Sequence, residues 1–243
     1  MFDNFLEQLY DNIIAQNRWQ MYLEGLGATL IMTFGAAIIG IILGCLVAIC
    51  KVSYAQKQRG PKRRRTFGSV MFGVLNKVCD FYLTVVRGIP MMVLVMIFIY
   101  IIFGRAPFSA SMYVATLAFG VNSGAYVAEI VRAGIMAVDP GQTEAGRSLG
   151  LSEGMTMRII VLPQAIKNIL PALGNEAITL LKETSIAGYA AVVDLTYQAT
   201  LIRSRTFSPV PLIVIALVYL AVVMLLTFIF NKVEKRLAKS DYR

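Results

Sequence analysis

The sequence predicts an all-α integral membrane protein with five transmembrane helices, its N-terminus outside and its C-terminus inside. Three observations carry that expectation. Of the 243 residues, 57% are hydrophobic and only 15% are charged, against roughly a quarter charged in an average soluble domain. Charge-free apolar runs recur that reach the ~20 residues a helix needs to cross ~30 Å of hydrocarbon. The basic residues behind the net charge of +9 are bunched beside those runs, which is the pattern that sets orientation during insertion. The length allows a single transmembrane domain, 1–243, with no second soluble domain.

The elements follow in order. Phe2, Phe5, Leu9 and Ile13 recur at roughly helical spacing, so 1–24 reads as a surface amphipathic segment ending near Trp19 and Tyr22 in the interfacial aromatic belt. It is not expected to be a signal peptide, because Asp3, Glu7 and Asp11 stand against Arg18 alone, with no small-residue cleavage site. The first crossing is Gly25–Cys50, where Gly35, Gly40 and Gly44 would let a neighbouring helix approach closely. A basic connector, 51–80, then carries Lys51, Lys57, Arg59, Lys62, Arg63, Arg64, Arg65 and Lys77. It reads as a cytoplasmic anchor facing anionic lipid headgroups. Nucleic acid is not an expected partner, since the charge flanks apolar spans.

The second crossing is Phe81–Phe103, broken near its start by Gly88 and Pro90. The third is Ser111–Val138, and a polar stretch, 139–170, follows. The fourth, Pro171–Val193, is unusual in holding Glu176, Lys182 and Glu183. A polar link with Asp194, Arg203 and Arg205 leads to the charge-free fifth, Thr206–Asn231, and Lys232, Lys235, Arg236, Lys239 and Arg243 come after it. With both basic groups inside, five crossings put the N-terminus outside and 139–170 in the cytoplasm.

Several chemistries are excluded. There is no histidine, and Cys45, Cys50 and Cys79 are the three cysteines, so neither a disulfide framework nor a histidine metal site is expected. Cys45 and Cys50 act as small hydrophobes in an apolar run. No G-x-x-x-x-G-K-[ST] phosphate loop is present. The chain is therefore expected to be no enzyme and to hold no cofactor. A lipid-modifying enzyme built on Asp194, Glu183 and the basic connector would lack an acidic or metal-binding cluster. A membrane scaffold that only anchors a partner is the other rival.

Between the third and fourth crossings stands "EAGRSLGLSEGMTMRIIVLP", Glu144 to Pro163. Glu144–Leu149 reads as a short helix stopped by Gly150. Ser152 can cap a second helix from Glu153 onward, which Pro163 interrupts. The pair is either a rigid knuckle projecting from the membrane or an interfacial loop without a partner.

The spacing Glu144-Ala145-Gly146, Gly150, Ile160-Val161-Leu162-Pro163 resembles the EAA loop of ATP-binding-cassette (type I) importer permeases, with Gly146 where the family has alanine. "VVRGIPMMV", "NSGAYVAEIVRAGI", "VDPGQTEAGRSLGL", "LPQAIKNILPALGNEAITLLKETSI" and "DLTYQA" resemble the polar amino acid branch, in the family's order. Relative to compact members, 55–69 looks like an insertion. The resemblance implies that the 139–170 loop is the cytoplasmic coupling-helix loop, docking on a separate ATPase through Glu144, Ala145, Gly146, Arg147, Gly150 and Leu151. Glu144 would be the polar contact, Ala145 and Gly146 would permit close approach, and Gly150 would set the corner.

ATP and Mg would be bound by that partner. Two ATPases, a second permease copy or a related chain, an extracytoplasmic amino-acid-binding receptor and membrane lipids are the implied partners, in a bacterial cytoplasmic membrane. The substrate would be a polar amino acid, or another small polar solute such as an opine or organic acid, moved by alternating access.

Charges within spans are rare and commonly mark a substrate path. Glu129 and Arg132 sit three apart and can pair, either as a snorkelling helix-end pair or at such a path. Asn122, Ser123 and Tyr126 stand near the same face. Lys182, Glu183, Thr184 and Ser185 form a second polar group. Together these eight, without Arg132, are the candidate substrate residues; bracing of a dimer interface is the competing role for Lys182 and Glu183.

Overall fold

The computed structural model describes residues 7–59 and 67–238, and the described residues contain helices and turns and no strand. Phe2, Asp3, Phe5, Lys62, Arg63, Arg64, Arg65, Lys239 and Arg243 lie outside them. In chain order the helices are α1 (Arg18–Arg59), α2 (Phe67–Gly88), α3 (Met91–Met96, prolonged by a π-helical turn, Ile97–Ile102), α4 (Ser111–Met136), α5 (Pro140–Ser148), α6 (Glu153–Thr156, prolonged by a π-helical turn, Met157–Val161), α7 (Leu162–Glu183), α8 (Leu195–Thr206) and α9 (Val210–Ala238). A 3-10 helix, Thr184–Ala190, follows α7. Four helical stretches are long and apolar enough to cross a membrane: Glu7–Gln58, Phe67–Gly88, Phe108–Met136 and Val210–Arg236.

Several boundaries differ from the sequence expectation. The connector 51–80 is helical at both ends, because residues 51–58 hold no glycine or proline and are mostly good helix formers. Loss of hydrophobicity after Cys50 ends the apolar run but not the helix. The second crossing, Phe81–Phe103, is divided between α2 and α3 at Pro90, whose extended backbone (ψ 138°) separates them. The fourth, Pro171–Val193, is not among the four long apolar stretches. Its helix, α7, starts earlier and carries Pro171 in its interior. Near the N-terminus, Gln16 and Asn17 take left-handed backbone angles (φ 56° and 55°). Trp19 and Tyr22 consequently belong to α1.

The polar link after Val193 is also a helix, α8. The Asp194 carboxylate caps it by accepting from the Tyr197 amide at 2.7 Å. Leu195, Ala199 and Ile202 recur at i, i+4 and i+7, and this buried stripe packs with Tyr22 and Ile215. Arg203 and Arg205 stand in its last turn, where cations suit the helix dipole.

The chain forms two compact units. The first comprises Met1–Ile38, Ile89–Gly120 and Ala177–Phe228. Its core gathers Met32, Ala36, Val95, Phe119 and Leu180. A Cβ on Gly25 would stand 2.8 Å from the Leu195 Cα, and one on Gly35 2.9 Å from Thr116 Cγ2. α1 therefore meets α8 and α4 at glycines. The Leu195 amide donates to Thr29 Oγ1 at 3.2 Å.

The second unit comprises Ile39–Gly88, Val121–Glu176 and Ile229–Arg243. Here a Cβ on Gly40 would stand 2.9 Å from Ser123 Cβ, and one on Gly44 2.6 Å from Val127 Cβ. All three glycines named in the first crossing thus receive α4. Ala48, Val127, Val131, Ala165 and Ile169 form the main core of this unit. The end of α1 and the start of α2 run as a hairpin. Lys51 pairs with Asp80, Tyr54 meets the Phe72 ring at 5.7 Å, and Lys57 sits over that ring at 5.5 Å.

Candidate functional site

The Glu144–Pro163 segment folds as a two-helix knuckle. Asp139 starts α5 by accepting from the Gly141 amide at 2.8 Å, with Pro140 at the first helical position. At the other end the Leu151 amide reaches the Gly146 carbonyl (3.1 Å) and the Gly150 amide the Arg147 carbonyl (3.0 Å). These two bonds are a Schellman ending, and Gly150 supplies its left-handed residue at φ +85°. Ser152 then caps α6, accepting from the Met155 amide at 3.3 Å.

One expectation is corrected here. Gly146 does not offer close approach to a partner, because it is buried against α6. A Cβ on it would stand 2.8 Å from Thr156 Cγ2 and 2.9 Å from Ile160 Cδ1. Its small size serves the joint between the two helices. Glu144, Ala145, Arg147 and Gly150 are exposed, and Leu151 is half-buried.

Pro163 does not end the second helix. The π-helical turn Met157–Val161 precedes it, and the helical path continues into α7. Proline lacks a backbone donor and its ring crowds the preceding turn, and the widened turn lies at that place. The Gln164 side chain donates to Gln142 Oε1 (3.3 Å) and to the Ile160 carbonyl (3.0 Å), tying α5 to the base of α7.

A residue the sequence reading passed over is Leu149. It is 81% exposed at the tip of the corner, just before Gly150. An apolar residue beside a helix-ending glycine was the available signal.

The candidate substrate residues fall into two groups. In the second unit, Asn122 and Ser123 are buried, Tyr126 is 38% exposed, and Arg87 sits over its ring at 5.6 Å. Ser123 Oγ donates to Glu176 Oε1 at 2.8 Å. In the sequence Glu176 is a charge within a span, 53 positions from Ser123, and only the fold brings the two together. Glu129 pairs with Arg132 through two hydrogen bonds, one at 3.1 Å from Nε.

In the first unit, Lys182 is exposed and Glu183 is half-buried. Thr184 is fully buried and gives its hydroxyl to the Leu181 carbonyl at 2.7 Å, while Ser185 bonds the Lys182 carbonyl at 2.6 Å. Both hydroxyls are thus engaged at the end of α7.

A knuckle of capped helices stands at the base of a long helix, beside apolar helices packed at glycines. Residues 66–239 match the family described as binding-protein-dependent transport system inner membrane component, and the chain belongs to it. It is 38% identical to the arginine transport system permease protein ArtQ of Bacillus subtilis (strain 168), over 90% of this chain and 93% of that one. Against the putative glutamine transport system permease protein GlnP of Rickettsia bellii (strain RML369-C) it is 37% identical, over 90% and 93%.

A crystal structure of an amino acid ABC transporter with histidines superposes with a TM-score of 0.76, at 38% identity, over 89% of this chain and 94% of that one. The MetNI methionine ABC transporter in an inward-facing form gives a TM-score of 0.73 at 19% identity, over 92% and 99%, a likeness of fold. The protein is a transport permease subunit and not an enzyme. Members of its family work with an ATPase and a substrate-binding protein.

Proposed function

We propose that this chain is the permease of an ATP-driven importer that moves polar amino acids into a bacterial cell through the cytoplasmic membrane. The observation that carries the coupling reading is the rigid knuckle that continues without a break into α7. An ATPase docked on Glu144, Ala145, Arg147, Gly150 and Leu151, with Leu149 as an added contact, would push on a body and not on a flexible loop. ATP-driven closure would then turn the helices between inward- and outward-facing states. The full assembly would hold two permeases, this chain twice or with a related one, two ATPases binding ATP and Mg, and an external receptor.

Five crossings, with the N-terminus outside, remain the topology we propose. From Pro171, α7 rises about 18 Å to Glu183 at 1.5 Å per residue, and the 3-10 helix adds about 14 Å at 2 Å per residue. Together they match ~30 Å of hydrocarbon. The second crossing is then α2 and α3 bent at Pro90. Lys51, Lys57 and Lys77 on one side and Lys232, Lys235 and Arg236 after the last span stay inside.

For the substrate, the carboxylate–hydroxyl pair of Glu176 and Ser123, with Asn122, Tyr126 and Glu129, suits the ammonium and polar groups of an amino acid. Lys182 and Glu183, with Thr184 and Ser185 shaping the end of their helix, are the second candidate group. The polar amino acid class is supported by the names of the arginine and glutamine relatives.

The test is uptake of a radiolabelled panel by the permease reconstituted with its ATPase and receptor. ATP-dependent accumulation of one amino acid class, lost in Glu144→Arg, is expected. Accumulation of an opine or organic acid alone would overturn the substrate. Hydrolysis and uptake both indifferent to Glu144→Arg would overturn the coupling route. Glu176→Gln or Glu183→Gln should alter preference with assembly intact; lost assembly alone would assign these side chains to bracing.

A further inference from the structure

In the second unit the knuckle does not stand alone. A groove of about 1260 Å³ separates it from the α1–α2 hairpin. Glu144 and Glu153 line one wall; Tyr54, Ala55 and Gln58 of α1 and Asp80 of α2 line the other. We propose that this hairpin of two helical arms is a second docking wall for the ATPase subunit, so that the partner is gripped between arm and knuckle. The inference rests on the coupling reading above.

Charge states what would enter. Among the described residues that line the groove, the two cations are matched within it: Lys51 pairs with Asp80, and Arg132 with Glu129. Glu144 and Glu153 have no ion pair among the described residues. A partner element presenting an arginine or lysine toward the knuckle, with hydrogen-bonding groups toward Tyr54 and Gln58, fits both walls. These two carry neutral polar ends, joined by a 2.9 Å bond from Gln58 Nε2 to Tyr54 Oη.

The arm is built to bear load. The Lys51–Asp80 pair, the Tyr54–Phe72 contact and Lys57 over the same ring cross-link its helices. Its root packs Val47, Cys79 and Ala128 together. It is also two-faced. Asn76, Asp80 and Leu83 of α2 share the groove side at i, i+4 and i+7, whereas Val70, Val74, Val78 and Phe81 are exposed on the opposite side. The apolar face suits lipid and leaves the polar one for a protein. A force on the arm enters α1 directly, as one on the knuckle enters α7.

The test uses the complete transporter in lipid nanodiscs, with the photoreactive residue p-benzoylphenylalanine placed singly at Ala55, Glu144 or Val74. Capture of the ATPase from both Ala55 and Glu144, with a yield that changes between nucleotide-free and ATP-trapped states, is expected, and Val74 should label lipid. Capture from Glu144 but only lipid or nothing from Ala55 would overturn the docking wall and make the arm a membrane-surface element, leaving the coupling reading intact. Capture from neither would sink both. Gln58→Arg, a surface change, serves as a second readout. It should weaken ATPase association by several-fold with unchanged thermal unfolding of the permease, and an unchanged affinity would count against the proposal.

Discussion

Asp194 is the residue whose environment is most at odds with its chemistry. It is fully buried, lies outside the membrane-crossing helices, and has one carboxylate oxygen, Oδ2, without a hydrogen-bond partner among the described residues. Burial pushes its carboxyl up to about 7, against helix-capping bonds from Tyr197 and neighbouring amides that pull the other way. The folded protein therefore keeps this proton up to about pH 7, while an unfolded chain releases it near 3.8. Across that window the folded state binds more protons, so Asp194 makes stability fall as pH rises, and the loss levels off above the folded value. Asparagine has a similar shape and caps a helix nearly as well, but it has no proton to lose. Asp194→Asn should match the parent in thermal unfolding near pH 4, exceed it increasingly up to about pH 7, and hold a constant margin above that. A difference that is constant with pH, or a parent that gains on the variant at pH 8, would show that Asp194 is not held protonated.

The elements are where the sequence was most and least informative. Apolar runs located α1, α4 and α9 because an uncharged stretch can only be buried or face lipid, and Gly35, Gly40 and Gly44 announced close helix contact. The corner at Gly150 and the cap at Ser152 were legible because each solves a local backbone problem within four residues. Helix continuation through residues 51–59 was not, because the loss of hydrophobicity after Cys50 masked a run of good helix formers, and the contacts that brace it, Asp80 and Phe72, come from the next helix. α8 was hidden for the opposite reason: three apolar positions at helical spacing were diluted by Arg203 and Arg205. Gly146 belongs with the illegible features, for its partner surface turned out to be Thr156 and Ile160 of its own knuckle. Alanine there gains about 1 kcal/mol of helix propensity over glycine, which offsets the low end of the roughly 1–3 kcal/mol cost of overpacking. Valine adds two methyl groups and loses most of that propensity gain. Gly146→Ala should thus be close to neutral in thermal unfolding and in transport, while Gly146→Val should lose about 2 kcal/mol and coupling with it. Equal tolerance of both would mean that α5 and α6 are not packed at this point.

For the whole molecule, the question is how work done by a soluble partner reaches helices buried in lipid. The docking surface must be small, stiff and exposed, and Leu149 meets all three conditions. It is held by the hydrogen bonds that end α5, it follows the exposed Glu144 by five residues, and it is 81% accessible. An apolar side chain this exposed contributes little to folding, and surface substitutions away from special features usually stay within about 0.5 kcal/mol. Anchors that fill a pocket on a partner are worth about 2 kcal/mol or more on truncation, which is roughly 30-fold in affinity. Leu149→Asp should therefore leave the thermal unfolding of the isolated permease unchanged and weaken ATPase binding by about that factor. Because Asp also adds a charge beside Glu144, Leu149→Ala separates lost packing from the changed charge and should show the larger share of the effect. The measurement is a titration of the ATPase onto the permease in nanodiscs, followed by uptake per ATP hydrolysed. Full affinity in both variants would place the docking contact away from the corner, and the force would then have to enter α7 from its side and not through the tip of the knuckle.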